Sequence, residues 1–121
     1  NIIGNKPFFY NFKNSNYYKP MNDFKIAKIL RNCDIYFTAS KNEPAGMHFL
    51  EGLASGLPIL YLDSGGNTEY CKEYGLAIDK NNILEKLFQI KSNYSFFQNK
   101  ILKYKEMDQI MLKEYLKILL T

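Results

Sequence analysis

SKNEPAGMHFLEGLASG, residues 40–56, sets the order of the secondary structure around it. The mostly apolar residues 34–39 precede it and the apolar residues 57–62 follow it, and both runs are typical of buried strands. Pro44 suits a turn or the first position of a helix, and we predict a helix over about 46–55. Because ligands bind at the carboxyl ends of parallel strands, the order strand, loop, helix, strand predicts a binding site in this segment.

The predicted helix has an apolar face and a polar face. The apolar stripe, which we expect to pack on the sheet, consists of Phe49, Leu50, Leu53 and Ala54. The other face carries His48, Glu51 and Ser55. We expect Gly52 and Gly56 to let the helix lie close to a neighbouring element.

Two acids border the predicted site, Glu43 on the loop and Glu51 on the helix. The free N–H groups at the helix start favour an anion such as phosphate. Carboxylates without a cationic partner are better placed to bind hydroxyl groups. On the acids alone a second interpretation stays open, in which Glu43 caps the helix and Glu51 is simply solvated.

The spacing and the order of these motifs are more specific than the acids alone. Seven residues separate the acids in EPAGMHFLE (43–51), which lies between DIYFTAS (34–40) and GLASGLPILY (52–61). SGGNTEY (64–70) and YGLAI (74–78) follow. As a set they resemble the E-x7-E segment, the Gly-Gly-x-x-Glu loop and the following strand of retaining GT-B glycosyltransferases, and of glycosyltransferase family four in particular. The resemblance covers about residues 24–87 and concerns the C-terminal, donor-binding domain.

The resemblance implies a role for each site residue. Glu43, the candidate catalytic residue, contacts hydroxyls of the donor sugar, and Glu51 contacts the ribose of the nucleotide. Backbone N–H groups of Gly46, Met47 and His48 approach the diphosphate and the sugar. The chain departs from the family pattern at Pro44-Ala45 and at His48, where bulkier apolar residues are common, so the sugar is not predicted.

Gly65 and Gly66 form a second part of the predicted site. Paired glycines permit a positive φ and a close approach of the backbone to a ligand. The alternative is a plain turn before a helix. We favour the site-lining role, mainly because of the resemblance.

Alternating strands and helices predict the fold class: α/β, a Rossmann-like parallel sheet flanked by helices. The resemblance implies that this sheet is the C-terminal half of a GT-B fold. With 121 residues, 46% of them hydrophobic, the chain suits one folded domain over 1–121. Since the first residue is Asn, we expect a fragment or an excised domain. The resemblance implies that it comes from a larger two-domain enzyme and is inactive by itself. The acceptor domain and the cations that stabilise the leaving diphosphate would lie upstream.

Charge and cysteine content bound the partners. The net charge of +4 is mild and would help to attract an anionic donor, but it is too scattered to indicate nucleic-acid binding. Cys33 and Cys71 have no metal-ligand spacing and are typical of reduced cytosolic thiols, with a disulfide as the less favoured alternative. We expect no metal and no cofactor. No signal peptide or membrane-spanning stretch is present, so we expect a cytoplasmic location.

The flanking segments complete the prediction. Residues 1–5 end a strand, and Phe8, Phe9, Tyr10 and Phe12 form a short strand. We expect its rings to join the core, with a base-stacking platform as the less favoured alternative. A helix over 23–32 begins at Asn22 or Asp23, and strand 59–62 leads to a helix over 67–74 that Gly75 ends. Strand 76–78 and a helix from Asn81 or Asn82 to Ile90 follow.

A long helix over about 96–120 is predicted to end the chain. The lysines on its polar side are Lys100, Lys103, Lys105, Lys113 and Lys117. A solvated basic face is the default interpretation. The alternative is peripheral contact with acidic lipids at the inner face of the membrane.

Two functions of different classes remain at this point. The leading hypothesis is a glycosyltransferase domain that binds a nucleotide-diphosphate sugar and takes part in retaining transfer of the sugar to a hydroxyl of a glycan, lipid or small molecule. The alternative is a non-catalytic α/β nucleotide-binding or regulatory domain. The paired acids favour the enzyme, because a regulatory domain has no need of both.

Overall fold

Two compact units, Asn1–Cys33 and Asp34–Thr121, make up the chain in the computed structural model. The structure describes residues 1–44, 48–104 and 117. A single domain over 1–121 stays a prediction. No helix within the described ranges is long and apolar enough to cross a membrane.

The first unit holds two short strands and a helix. Strands β1 (Ile2–Ile3) and β2 (Tyr17–Tyr18) pair in parallel, and α1 (Asp23–Leu30) follows them. The side chain of Asn22 caps α1, because its Oδ1 accepts a hydrogen bond from the N–H of Lys25 at 3.2 Å. The predicted first strand and the predicted Asn22 cap are therefore confirmed.

The predicted strand formed by the aromatic residues 8–12 is wrong. The N–H of Tyr10 donates to the carbonyl of Pro7 at 3.0 Å, which makes residues 7–10 a turn. Phe8 is 102% exposed and Phe9 is 89% exposed, so neither ring joins a core. Pro7 has no N–H for a strand ladder and fixes a φ that suits a turn, and this outweighs the strand propensity of the aromatic run.

Strand β4 (Ile59–Leu62) forms the centre of the sheet in the second unit. Strands β3 (Tyr36–Thr38) and β5 (Gly75–Ile78) flank it, and all three are parallel in the order β3-β4-β5. The first three residues of β4 are buried, as expected of a strand that is covered on both faces.

Helices cover both faces of this sheet. These helices are α2 (His48–Ala54), α3 (Asn67–Cys71), α4 (Ile83–Ser92) and a helical segment over residues 94–104. One core cluster contains Phe49, Leu53, Ile59, Tyr61, Cys71 and Ile101, and the other contains Leu60, Ile78, Ile90 and Phe97. Because successive residues of β4 fall into different clusters, the two cores lie on opposite faces. The predicted fold class, a Rossmann-like parallel sheet flanked by helices, is confirmed.

Two glycines have roles that differ from the predicted ones. Gly75 begins β5 and does not end a helix, since α3 stops at Cys71. A Cβ on Gly75 would lie 1.8 Å from the carbonyl oxygen of Ile59, so only glycine fits against β4. Gly56 has a φ of +81° and no heavy atom within 4 Å of an added Cβ, so close packing does not require it.

Gly56 instead ends α2. The N–H of Gly56 donates to the carbonyl of Leu53 at 2.9 Å, and the N–H of Leu57 donates to the carbonyl of Gly52 at 3.0 Å. This pair of bonds, with a glycine of positive φ after the helix, is the Schellman motif.

The C-terminal region agrees with the prediction in its described part. Helix α4 runs two residues beyond the predicted end, to Ser92. The break between the last two predicted helices, residues 91–95, is shorter in the structure, since only Asn93 separates α4 from the helical residues 94–104. The rest of the predicted helix over 96–120 lies outside the described residues, Lys117 excepted.

Candidate functional site

Two loops leave the carboxyl ends of neighbouring strands in the second unit. The acidic loop (residues 39–44) follows β3 and carries Glu43, which is half-buried. The glycine loop (residues 63–66) follows β4 and carries Gly65 and Gly66. Because the strands are parallel, both loops lie at the edge of the sheet where α/β proteins bind ligands.

Hydrogen bonds tie the acidic loop to the residues that follow β4. The N–H of Asn42 donates to Ser64 Oγ at 2.9 Å, the N–H of Gly66 donates to the Glu43 carbonyl at 2.7 Å, and Asn67 Nδ2 donates to the Ser40 carbonyl at 2.9 Å. The backbone on both sides of Glu43 is therefore fixed by polar groups from the next strand's loop.

The paired glycines are needed for this contact between the loops. Gly65 has a φ of +59°, and a Cβ there would lie 2.6 Å from the carbonyl oxygen of Glu43. A Cβ on Gly66 would lie 2.7 Å from the carbonyl oxygen of Pro44. The backbone that approaches the glycines is thus the acidic loop itself, and their contact with a ligand stays a prediction.

Asn67 is a buried polar residue that the sequence analysis treats only as the start of a helix. It is 0% exposed, and its Nδ2 donates to the carbonyls of both Ser40 and Leu62, the latter at 3.1 Å. It thereby bridges the ends of β3 and β4. Within the described residues its Oδ1 is buried and accepts no hydrogen bond. The available signal was an amide directly after paired glycines, where strand-end carbonyls need donors.

Helix α2 places the second acid. Glu51 lies in the first turn of α2, so the predicted positions of Glu43 on a loop and Glu51 near a helix start are confirmed. Phe49 and Leu53 anchor the helix in the core at 2% and 1% exposure, whereas Ala54 is exposed, so the predicted stripe is wrong at that position. A helix face need not be covered along its whole length, and Ala54 is the last residue of α2.

Tyr36 of β3 lies beneath α2. A Cβ on Gly52 would lie 2.6 Å from Cγ of the Tyr36 ring, which confirms that Gly52 allows a close approach. Burial raises the pKa of Tyr36 to about 12, with smaller contributions from the negative charges of Glu51 and Cys71. The negative charge of Glu51 therefore disfavours ionisation of the Tyr36 hydroxyl.

His48 begins α2, and its imidazole is held by the protein. Its Nε2 lies 2.8 Å from Oγ1 of Thr38, a buried residue at the end of β3. The ring stacks on Tyr36, with 6.4 Å between ring centroids, and meets Phe49 edge-on at 5.6 Å. Thr38, which the sequence analysis missed, thus ties the start of α2 to β3. A role for His48 in binding the donor stays a prediction.

Two of the predicted site residues cannot be placed. Gly46 and Met47 lie outside the described residues, so the roles of their N–H groups stay predictions. In the part of the chain that is described, no group of three or more His, Cys, Asp and Glu residues could hold a metal ion. Burial raises the pKa of Cys71 to about 11, which keeps this core thiol neutral at physiological pH.

Comparison with known proteins supplies the family. A family model described as "Glycosyl transferases group 1" matches residues 10–109, which include both acids and both loops. No curated protein and no solved structure matches the chain. Together with the α/β fold, the family match supports a GT-B glycosyltransferase domain and glycosyl transfer as its general chemistry. The chain therefore belongs to the group 1 glycosyl transferases.

Proposed function

We propose that this chain is the donor-binding domain of a retaining glycosyltransferase of family four, with its E-x7-E segment from Glu43 to Glu51. The domain binds a nucleotide-diphosphate sugar and takes part in transfer of the sugar to an acceptor hydroxyl. One observation carries this proposal: the loop of Glu43 and the helix turn of Glu51 follow the same strand at the ligand-binding edge of the sheet.

The two acids bind different parts of the donor. Glu51 accepts hydrogen bonds from the vicinal hydroxyls of the ribose, and such bonds to an ionised carboxylate are stronger than neutral ones. Glu43 accepts hydrogen bonds from hydroxyls of the sugar. Between them, the N–H groups of Gly46, Met47 and His48 face the diphosphate, where a helix start favours negative charge.

Transfer breaks the bond between the anomeric carbon and the diphosphate oxygen and forms a bond to the acceptor oxygen, whose proton passes to the leaving diphosphate. Negative charge develops on the leaving diphosphate, so N–H donors already in place lower the barrier. The tethers of the acidic loop keep Glu43 in position while this happens. The acceptor binds to the other domain of a GT-B enzyme.

The test uses the full-length protein and a panel of nucleotide sugars. We expect transfer of the sugar with retention of its anomeric configuration. NMR of the product measures this configuration. Glu43→Gln should lower kcat/KM about tenfold to a hundredfold, the value of a charged hydrogen bond. Glu85→Gln, an exposed acid in the first turn of α4, is the matched control and should behave as the wild type.

Three results would contradict parts of this proposal. An inverted product would exclude the retaining mechanism. Nucleotide binding without transfer would favour the non-catalytic alternative. The isolated chain should bind nucleotide weakly and transfer no sugar, because a GT-B site closes between two domains, and substantial activity of the chain alone would be inconsistent with that organisation.

A further inference from the structure

Phe8 and Phe9 form the exposed tip of a turn in the first unit. Because the N–H of Tyr10 donates to the Pro7 carbonyl at 3.0 Å, both phenylalanines occupy the central positions of the aromatic turn (residues 7–10). Their exposed fractions are 102% and 89%. Central turn positions favour Gly, Asn and Asp, and large apolar rings held in water there are unfavourable. A partner that covers the rings would remove this cost.

The aromatic turn rests on a base of ring contacts. Tyr10 meets Phe12 edge-on with 4.9 Å between ring centroids, and Phe12 stacks on Tyr17 of β2 at 6.0 Å. The hydroxyl of Tyr17 donates to the Gly4 carbonyl at 2.6 Å, after the end of β1. The exposed tip is thus presented by a base that is fixed to both strands of the unit.

The sequence on both sides of the turn is basic. Residues 1–22 contain Lys6, Lys13 and Lys19 but neither Asp nor Glu. Lys6 Nζ lies 5.1 Å from the centroid of the Tyr17 ring, which places one charge at the base of the turn. An apolar tip above tyrosines and Lys6 matches the layers of a membrane surface, from acyl chains to headgroups to phosphate.

We propose that the aromatic turn docks this domain on a membrane that contains anionic lipids. Phe8 and Phe9 enter the acyl boundary, and the three lysines lie among the acidic headgroups. A nucleic acid could also stack on the rings and bind the cations. Nucleic-acid binding usually needs many contacts to phosphates, however, and three lysines are too few for that. The proposal is independent of the sugar donor and of the roles of Glu43 and Glu51.

The experiment is sedimentation of the full-length protein with vesicles of phosphatidylcholine, alone or mixed with phosphatidylglycerol. We expect binding to the anionic vesicles, weakened by salt. The double variant Phe8→Ser/Phe9→Ser should lose about a hundredfold or more in affinity, since each buried ring contributes strongly. Phe24→Ser is the matched control, because Phe24 on α1 is 90% exposed but lies outside the turn, and it should bind like the wild type.

Four outcomes would overturn the proposal. The first is equal binding to neutral and anionic vesicles, or none to either, and the second is an equal loss in the Phe24 control. The third is a lower melting temperature of the double variant in the full-length protein, which would show that another part of the enzyme covers the rings. The fourth is selective loss of binding to a single-stranded oligonucleotide with vesicle binding unchanged.

Discussion

The acidic loop and helix α2 carry one acid each, and different forces hold them in place. Hydrogen bonds with Ser64, Gly66 and Asn67 fix the loop of Glu43. Apolar packing of Phe49 and Leu53 is the main force on the helix of Glu51, with one polar contact between His48 and Thr38 at its start. Packing is strong and non-directional, whereas hydrogen bonds are individually weaker but set an exact geometry. The two acids should therefore respond to different mutations.

The largest expected effect is on the packed helix. Leu53 is 1% exposed, so Leu53→Ala leaves a cavity in the core and should lower the free energy of unfolding by about 2–5 kcal/mol. Chemical denaturation measures this. Leu84→Ala on α4, where the leucine is 70% exposed, is the control and should cost far less. An equal loss in both variants would show that α2 is not held by packing.

The second effect is on the tethered loop. Asn67→Ala leaves the carbonyls of Ser40 and Leu62 without this donor and should cost about 1–3 kcal/mol. Hydrogen exchange should show lost protection at the N–H of Gly66 but not in α2. Asn93→Ala is the control, because the amide of Asn93 also donates to a backbone carbonyl, at 2.9 Å, but is exposed. An equal loss of exchange protection in the acidic loop and in α2 would contradict the view that different forces hold the two elements.

A smaller effect is expected at Ser64. Ser64→Ala removes the acceptor for the N–H of Asn42 and should cost about 0.5–1.5 kcal/mol. Faster exchange of that N–H, with the thermal midpoint lowered by only about a few degrees, is the expected readout. The exposed Ser92→Ala on α4 serves as the control. Unchanged exchange at Asn42 would mean that this bond does not hold the loop.

The smallest effect separates the acids by charge. The pKa of Tyr36 is raised by burial and then by Glu51, so Glu51→Gln should lower it and Glu43→Gln should not. Burial favours the neutral phenol of Tyr36 over the phenolate. The contribution of this group to the free energy of unfolding is therefore complete below pH 10 and is lost as the pH rises toward about 12. Ultraviolet titration of each variant, with Tyr36→Phe subtracted, measures the shift. Equal shifts in both acid variants would place Glu43 near β3 as well.

The sequence alone predicted the elements that local patterns define. Strand 59–62 is correct to the residue, because an apolar run lies between the turn residues Gly56 and Asp63. The positions of the two acids follow from the same pattern. The predicted strand over the aromatic residues 8–12 was wrong because Pro7 begins a turn. Hydrophobic periodicity and strand propensity do not reveal such a turn.

The tethers could not be predicted, since they depend on the sheet. Thr38 and His48 are ten residues apart and meet only after α2 packs on β3. Ser40 and Asn67 are 27 residues apart and meet only after β3 and β4 align. No local pattern encodes that register. The sequence thus predicted which residue types border the site, whereas the bonds that hold them emerged only with the tertiary structure.

Calorimetry of Glu43→Gln and Glu51→Gln in the full-length protein, with the nucleoside diphosphate and with the nucleotide sugar, tests the proposed division of labour most directly. Glu51→Gln should lower the affinity for both ligands by about tenfold to a hundredfold, because both contain the ribose and a charged hydrogen bond to it is lost. Glu43→Gln should leave the diphosphate unchanged and weaken only the nucleotide sugar. If both variants lose the same affinity for both ligands, the two acids do not divide the donor between ribose and sugar.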